Sequence, residues 1–572
     1  MKIKNTLKGN LNKKELSKKR KNKGIKNPKY IFVLGGVMSG VGKGITASSI
    51  GKILQLQGIS VTAVKIDPYV NVDAGTMNPI EHGETFVLED GYETDQDMGN
   101  YERFLNHSLT RESYMTTGSI YQKVIAKERS LGYGGKTVSV VPHVPLEVID
   151  QIEKAAQKEQ AEVTIVEIGG TVGEYENILF LEAARMMKRK APQDVLFVLV
   201  SYLPVPGGVG EMKTKPTQQA VRTIGESGIN PDFIVGRSSI PMDISRKQKI
   251  AQASLLHSSD IISAPDVASV YDIPGNFINE GLDVKIMQKL GIKKTNSDKA
   301  VAEQRAWNTF TKTIKQAKKE VSIAVVGKYF STGDFVLSDA YVSVLEALKY
   351  SSWKLGVKVK IHWLHSQDFE GKQGIKKLSE LKQYGGVLVP GGFGTSGIEG
   401  KINVINYVRK EKIPFFGICL GMQMATVAFA RDVLKYRDAH STEMNPTTKH
   451  PIVMMLADQK KKLQDGDFGG SMRLGSCEAK ITPKTLAYKI YKSSIIHERH
   501  RHRYEVNAEY RAELEKHGLI ISGTHGNLPE IIELEQREHP FFFAVQFHPE
   551  LQARPLDPHP VFTAFIKAAK DH

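Results

Sequence analysis

Short apolar runs, each closed by glycine or by polar turn residues, alternate along the chain with longer mixed stretches. Tyr30–Leu34 reads as a buried strand leading into a glycine-rich turn. Residues 43–57 predict a helix ended by Gly58, and Val61–Ile66 predicts a second strand. A strand–helix–strand opening of this kind points to a parallel sheet. Apolar runs at Val163–Ile168, Val195–Val200 and Phe233–Val235 repeat the buried-strand pattern. Residues 293–320, with KKTNSDK and then KTIKQAKKE, are polar and basic; they carry no strand signal and read as a linker with some helix. A second α/β unit follows, with a strand at Ile323–Val326, a helix at Asp339–Tyr350, and strands at Val357–Ile361, Val387–Val389 and Phe415–Ile418. No internal repeat is visible. The expected organisation is an extension at 1–29, an α/β domain at 30–292, the linker at 293–320 and a second α/β domain at 321–572.

Composition adds limits to this picture. Of 572 residues 41% are hydrophobic and 24% charged, which predicts a packed core and excludes wholesale disorder. No apolar stretch approaches the ~18 residues a membrane-spanning helix needs. Two cysteines exclude a disulfide framework and an all-cysteine zinc site, and the expected location is a reducing cytoplasm. The net charge of +16 suggests nucleic acid until it is located. Residues 1–29 hold twelve Lys/Arg against Glu15, a net of +11, which leaves +5 on the other 543 residues. The tail has no hydrophobic periodicity and reads as a solvated, disordered extension, with contact to RNA or an anionic surface as the alternative. Tyr30–Val41 imitates the apolar core of a signal peptide, but the charged stretch before it is too long.

The first chemical signal is Gly35-Gly36-Val37-Met38-Ser39-Gly40-Val41-Gly42-Lys43-Gly44-Ile45-Thr46, between predicted strand and helix. Glycines let backbone N–H groups converge on phosphate oxygens, and a helix N-terminus adds partial positive charge. It is a variant phosphate loop: five residues separate Gly36 from Gly42, and Gly44 stands where Ser or Thr usually helps hold magnesium. Other oxygen ligands are then needed, and Asp97 and Glu167 fit. Asp97 lies in a polar stretch; Glu167 ends an apolar strand, where a carboxylate is costly without a task. Lys65, in an otherwise apolar strand, reads either as a snorkelling lysine or as a second phosphate contact. Lys213-Thr214-Lys215-Pro216-Thr217-Gln218 offers cations, hydroxyls and an amide on a proline-held loop.

The second signal is Gly417-Ile418-Cys419-Leu420-Gly421-Met422-Gln423 after a buried strand. A nucleophile on a sharp strand-to-helix turn needs glycine on both sides. A buried inert cysteine is the competing reading. The thiol needs a base and an orienting group, and Gln546-Phe547-His548-Pro549-Glu550 supplies both, with Glu550 two residues along an extended segment from His548. Pro390-Gly391-Gly392-Phe393-Gly394 is placed to offer backbone donors to an oxyanion. In His497-Glu498-Arg499-His500-Arg501-His502-Arg503 the interleaved arginines oppose a metal reading and favour an arginine that holds a substrate carboxylate.

From about Tyr30 to the C-terminus these motifs resemble the CTP synthase family, in the order amidoligase domain, linker, class I glutamine amidotransferase domain. Asp97-Met-Gly-Asn-Tyr101-Glu-Arg103-Phe, Glu167-Ile-Gly-Gly-Thr171-Val-Gly173 and Arg499-His-Arg-His-Arg-Tyr504-Glu carry the likeness beside the motifs above. The resemblance implies an N-terminal dethiobiotin-synthetase-like sheet and a C-terminal flavodoxin-like one. It implies amination of UTP to CTP through a 4-phosphorylated intermediate, with ATP and glutamine as co-substrates and Mg2+ as cofactor. GTP activation, CTP feedback and a homotetramer are implied likewise. It assigns Gly40, Val41, Gly42, Lys43, Gly44, Ile45, Lys65 and Asp97 to ATP, and Asp97 and Glu167 to magnesium. UTP and CTP would meet Ser39, Lys213–Gln218, Lys249 and the stretch Glu174-Tyr175-Glu176, where Glu174 replaces the commoner aspartate. Cys419, His548 and Glu550 would form the triad, with Gly392 and Leu420 at the oxyanion. Leu420, Gly421, Met422, Gln423, Glu443 and Arg503 would grip glutamine. An amidoligase acting on a carboxylate is the runner-up; a non-catalytic assembly or nucleic-acid-binding protein is the third reading.

Overall fold

A computed structural model describes residues 27–572 except 208–209, 295–296, 329–330, 333–334, 337, 456–458, 460 and 462–468. The expected basic extension therefore lies outside the described residues up to residue 26. Lys29, counted with that extension, instead opens the first strand, Lys29–Gly36, and its ammonium pairs with Asp194.

The first sheet has seven strands, all parallel, in the spatial order Tyr114–Thr116, Val61–Asp67, Val163–Ile168, Lys29–Gly36, Val195–Tyr202, Phe233–Ser238, Ile261–Pro265. Parallel strands are covered on both faces, which is why they read as unbroken apolar runs. Along the first strand Ile31 and Val33 enter one core while Tyr30, Phe32 and Leu34 enter the other. The helix Lys43–Leu56 follows the phosphate loop and stops before Gly58, whose φ of 86° suits only glycine comfortably.

The second sheet has nine strands. Val357–His365, Lys319–Gly327, Gly386–Val389, Phe415–Ile418 and Phe542–Val545 pair in parallel. Leu528–Glu533, Ile520–His525, Arg473–Ile481 and Ile495–His502 extend it antiparallel. The linker reading needs one correction: residues 298–316 form the helix Asp298–Gln316, but a strand already begins at Lys319 because its register with Val357 continues the sheet edge. The helix expected at Asp339–Tyr350 is a short 3-10 turn, Ser338–Tyr341, followed by Val342–Lys354.

An aromatic knot ties the parts together. Phe104 and Tyr271 from the first sheet's side stack at 5.2 Å, Trp307 and Phe310 come from the linker helix, and Tyr350 and Trp353 from the second unit. Beside it Arg499, 1% exposed, pairs with Glu102 at 2.9 Å and donates to the Val87 carbonyl. Two of the three arginines in that run are structural: Arg499 and Arg501 hold the protein's own Glu102 and Glu93 across the junction. Among the described residues no helix is long and apolar enough to cross a membrane.

Candidate active sites

The phosphate loop leaves the C-terminal end of the central strand of the first sheet, where parallel α/β folds gather ligands. Gly40 and Gly42 take φ of 69° and 91°, the left-handed region that a side chain would strain. Gly44 has a different reason. A Cβ there would sit 2.3 Å from Asp97 Oδ1, so the missing Ser/Thr hydroxyl is replaced in space by a carboxylate from another element. Asp97, from its polar stretch, opens the helix Asp97–Leu105, a favourable end for a negative charge.

Lys65 is the centre of this site. Its ammonium, 4% exposed, donates to Asp97, to Glu167 Oε1 at 3.0 Å, and lies 3.6 Å from Asp67. The snorkelling reading fails, because the charge is inside and paired. Burial alone would lower the Lys65 pKa, yet Asp97, Glu167 and Asp67 push it well above its ordinary value. Glu167 is pushed up by burial, and Tyr101 donates its hydroxyl to it. Asp97 is drawn down by Lys65 despite its burial. Lys43, lowered by burial, donates to the Gly170 carbonyl at 2.8 Å. Glu174 accepts from the Thr171 N–H at 2.9 Å and closes the same turn.

The stretch from Lys213 to Gln218 is not a loop throughout. Proline fits the first turn of a helix, and the helix Lys215–Glu226 begins there. Thr217 is fully buried with its hydroxyl 2.8 Å from Ser201, and Gln218 donates to Thr214 at 3.2 Å. Lys213, Arg246 and Lys249 gather about Glu211, whose carboxyl they hold below its usual range. Ser39 and Lys249 are exposed, as are Glu176 and Tyr175, the last at 88%. The helix and the phosphate loop touch: a Cβ on Gly36 would lie 2.7 Å from Ala220. Sequence reading missed Arg246. It also missed a cavity of about 180 Å³ beside Gly42, lined by Ile45, Thr46, Arg237, Val267 and Phe277 from segments far apart in the chain.

The thiol site is built differently. Cys419 sits between the strand Phe415–Ile418 and the helix Leu420–Asp432 with φ 51° and ψ −103°, a conformation that costs a non-glycine residue about 1–3 kcal/mol. The turn closes because neighbours are glycine. A Cβ on Gly421 would lie 2.2 Å from the Val389 carbonyl oxygen, and one on Gly391 would lie 2.8 Å from His548 Cε1. His548 Nδ1 is 2.7 Å from Glu550 Oε1. The extended segment expected for the pair is interrupted: His548 immediately precedes the 3-10 turn Pro549–Gln552, which curls Glu550 back under the ring. Among the described residues His548 Nε2 finds no hydrogen-bond partner of nitrogen or oxygen. Burial alone would lower the imidazole pKa, but Glu550 and the Cys419 sulfur push it up to about 10. Leu420 is the first helical residue, so its N–H has no carbonyl one turn earlier.

The remaining residues assigned to glutamine divide. Glu443 accepts from the Gly394 N–H at 3.2 Å, while Lys328 donates to the Phe393 carbonyl at 2.9 Å, so the turn after Gly392 is clamped from both sides. Burial pushes Glu443 up and Lys328 down to about 8. Arg503 donates to Ser471 at 2.8 Å. The Met422 side chain is fully buried in the core, and Gln423 is committed to the Tyr504 carbonyl at 2.8 Å. A cavity of about 70 Å³ is lined by Gly391, Gly392 and His548 on one side and by Pro79, Glu84 and Thr85 on the other.

Comparison with known proteins covers 95% of this chain. Residues 29–292 match the family described as CTP synthase N-terminus, and residues 336–568 match Glutamine amidotransferase class-I. The CTP synthase of Clostridium kluyveri is 46% identical over 546 residues, 95% of this chain and 98% of that one. That of Thermococcus gammatolerans is 46% identical over 95% of this chain and 99% of its own. Among solved structures, the Trypanosoma brucei CTPS glutaminase domain with bound acivicin is 37% identical, covering 44% of this chain and 94% of that chain with a TM-score of 0.41.

Proposed function

The chain belongs to the CTP synthase family, and from that premise we propose how its residues divide the work. It is a glutamine-hydrolysing, ATP-dependent ligase that aminates UTP to CTP in pyrimidine nucleotide synthesis. The carboxylate amidoligase is not favoured.

At the first site the loop from Gly40 to Ile45 and Lys43 bind the ATP phosphates, and the slot of Ile45, Val267 and Phe277 takes the base. Lys65 steadies the phosphoryl group passing to the uracil 4-oxygen, a poor leaving group until phosphorylated. Lys213, Arg246 and Lys249 bind the UTP phosphates. Thr217, buried against Ser201, supports that helix end rather than the ligand. Asp97 and Glu167 fit a hard cation, being oxygen donors that converge on one buried ammonium. Bound magnesium would neutralise charge on the phosphates there. The family resemblance supports Mg2+ dependence, GTP activation, CTP feedback, a homotetramer and a cytoplasmic location.

At the second site His548 takes the Cys419 proton, Glu550 holds the imidazole, and the sulfur attacks the glutamine carbonyl. The N–H groups of Leu420 and Gly392 receive the oxyanion. Ammonia released there is protonated in bulk water near neutral pH, so it is best passed internally. The cavity shared by His548 and Glu84 is the single observation that carries this coupling. The test follows CTP formation from UTP, ATP and magnesium. Cys419→Ala should lose at least about 10³-fold with glutamine and keep its rate with ammonium. Wild type making no CTP from either nitrogen source would overturn the reading.

A further inference from the structure

Gln546 lies beside the thiol, fully buried, and the chemistry above leaves it without a task. Its amide nitrogen is 3.7 Å from Cys419 Sγ, within reach of an N–H···S bond given the size of sulfur. Its amide oxygen is 3.3 Å from Gln423 Nε2, and that nitrogen is 2.8 Å from the Tyr504 carbonyl oxygen. These contacts fix one another's polarity. A backbone carbonyl only accepts, so Gln423 must turn its NH2 towards Tyr504. The second hydrogen of that NH2 goes to Gln546, whose oxygen must face it. The NH2 of Gln546 is then left facing the sulfur. Neither amide can flip without setting two donors or two acceptors face to face. Gln423 is 3% exposed and Gln546 0%, so water does not make good such a mismatch.

We infer that Gln546 is a further catalytic residue of the glutaminase site, a fixed donor to Cys419 Sγ that favours the thiolate, and that Gln423 is the positioning residue that aims it. The inference rests on Cys419 being the nucleophile. A neutral thiol sulfur is a weak acceptor, so a donor held against it stabilises mainly the ionised form. When the S–H bond breaks and the proton joins His548 Nε2, the electron pair stays on sulfur, where the Gln546 N–H meets it. Gln423 thus acts through Gln546, a different task from the grip on glutamine that resemblance implies.

The test is the pH dependence of Cys419 alkylation by iodoacetamide in the full-length protein. It is read by mass spectrometry of the Cys419 peptide, because Cys419 is buried and the half-buried Cys477 is a second thiol open to the reagent. Gln546→Met keeps the length and removes the donor; its midpoint should rise by about one pH unit, making alkylation about tenfold slower below it. Gln546→Glu sets a carboxylate against the sulfur and should raise it further. Gln423→Met should raise it less, and should add nothing in the Gln546→Met background. Unchanged midpoints in both Gln546 variants, with unfolding temperatures also unchanged, overturn the inference, and additive shifts in the double variant overturn the positioning role. If alkylating wild-type Cys419 leaves glutamine-dependent CTP formation intact, the nucleophile assignment itself falls, whatever Gln546 does.

Discussion

The two sites reach readiness by different means. The phosphate site is held by exchangeable charge: Lys65 is shared among Asp97, Glu167 and Asp67, and each ion pair can be traded for contact with a phosphate or a cation. The thiol site is held by shape. Cys419 is fixed at φ 51°, and glycines at 391 and 421 leave room for nothing larger. Chemistry explains the contrast. Phosphoryl transfer asks the protein mostly for charge placed around a mobile polyanion. Attack by a thiolate asks for one atom on a fixed trajectory, where about 1 Å of misplacement is expensive.

Removing charge from the first site should have the largest effect. Lys65→Met leaves the buried Asp67 and Glu167 and the half-buried Asp97 without their cation, a change that costs about 3–5 kcal/mol. CTP formation should fall at least about 10²–10³-fold with either nitrogen source, while glutamine hydrolysis continues. A parallel loss of glutamate release would show that the sites are not built independently, and would break the comparison.

Removing space from the second site should come next. Gly391 does not need a positive φ, so Gly391→Ala tests sterics alone, with its Cβ 2.8 Å from His548 Cε1. Glutamine-dependent synthesis should fall about 10²-fold and ammonium-dependent synthesis should stay near wild type. Full activity with glutamine would mean that the imidazole shifts freely, and that shape is not what holds the thiol site.

The same contrast decided how much was legible in the sequence. The parallel strands announced themselves, because burial on both faces demands unbroken apolar runs such as Val163–Ile168. The glycine-flanked Cys419 was equally plain, since a sharp turn needs specific local residues. The antiparallel half of the second sheet was not read at all. Its strands Arg473–Ile481 and Ile495–His502 are rich in charge, and their burial is made tolerable by distant partners: Arg473 by Glu530 and Glu505, Arg499 by Glu102. Such pairing has no local signature. Gln546 stood two residues from the expected base, yet its task depends on Gln423 and Tyr504, which only the fold brings to it. Thr217 is a similar case, since its hydroxyl lies 2.8 Å from Ser201, a contact that no local pattern in the stretch announces.

The smallest effect is expected where the two regions meet. Glu84 lines the shared cavity and accepts from the Ser343 N–H at 3.1 Å and from its hydroxyl. Burial pushes its carboxyl up to about 7, above the ordinary 4.5. The folded state therefore holds this proton more tightly than the unfolded chain. Stability from it is complete below about pH 4.5, drains away as pH rises, and is gone above about pH 7. Glu84 keeps some contact with solvent, so the net amount is on the order of 1 kcal/mol, or about 1–2 degrees in the unfolding midpoint. Glu84→Gln keeps an acceptor for Ser343 and removes the titration. Its midpoint should vary less than wild type's between pH 5 and about 8 and should be the higher of the two at the alkaline end. Equal pH dependence in both proteins would place Glu84 among ordinary ionised carboxylates. The junction would then belong with the charge-built site rather than with the shape-built one.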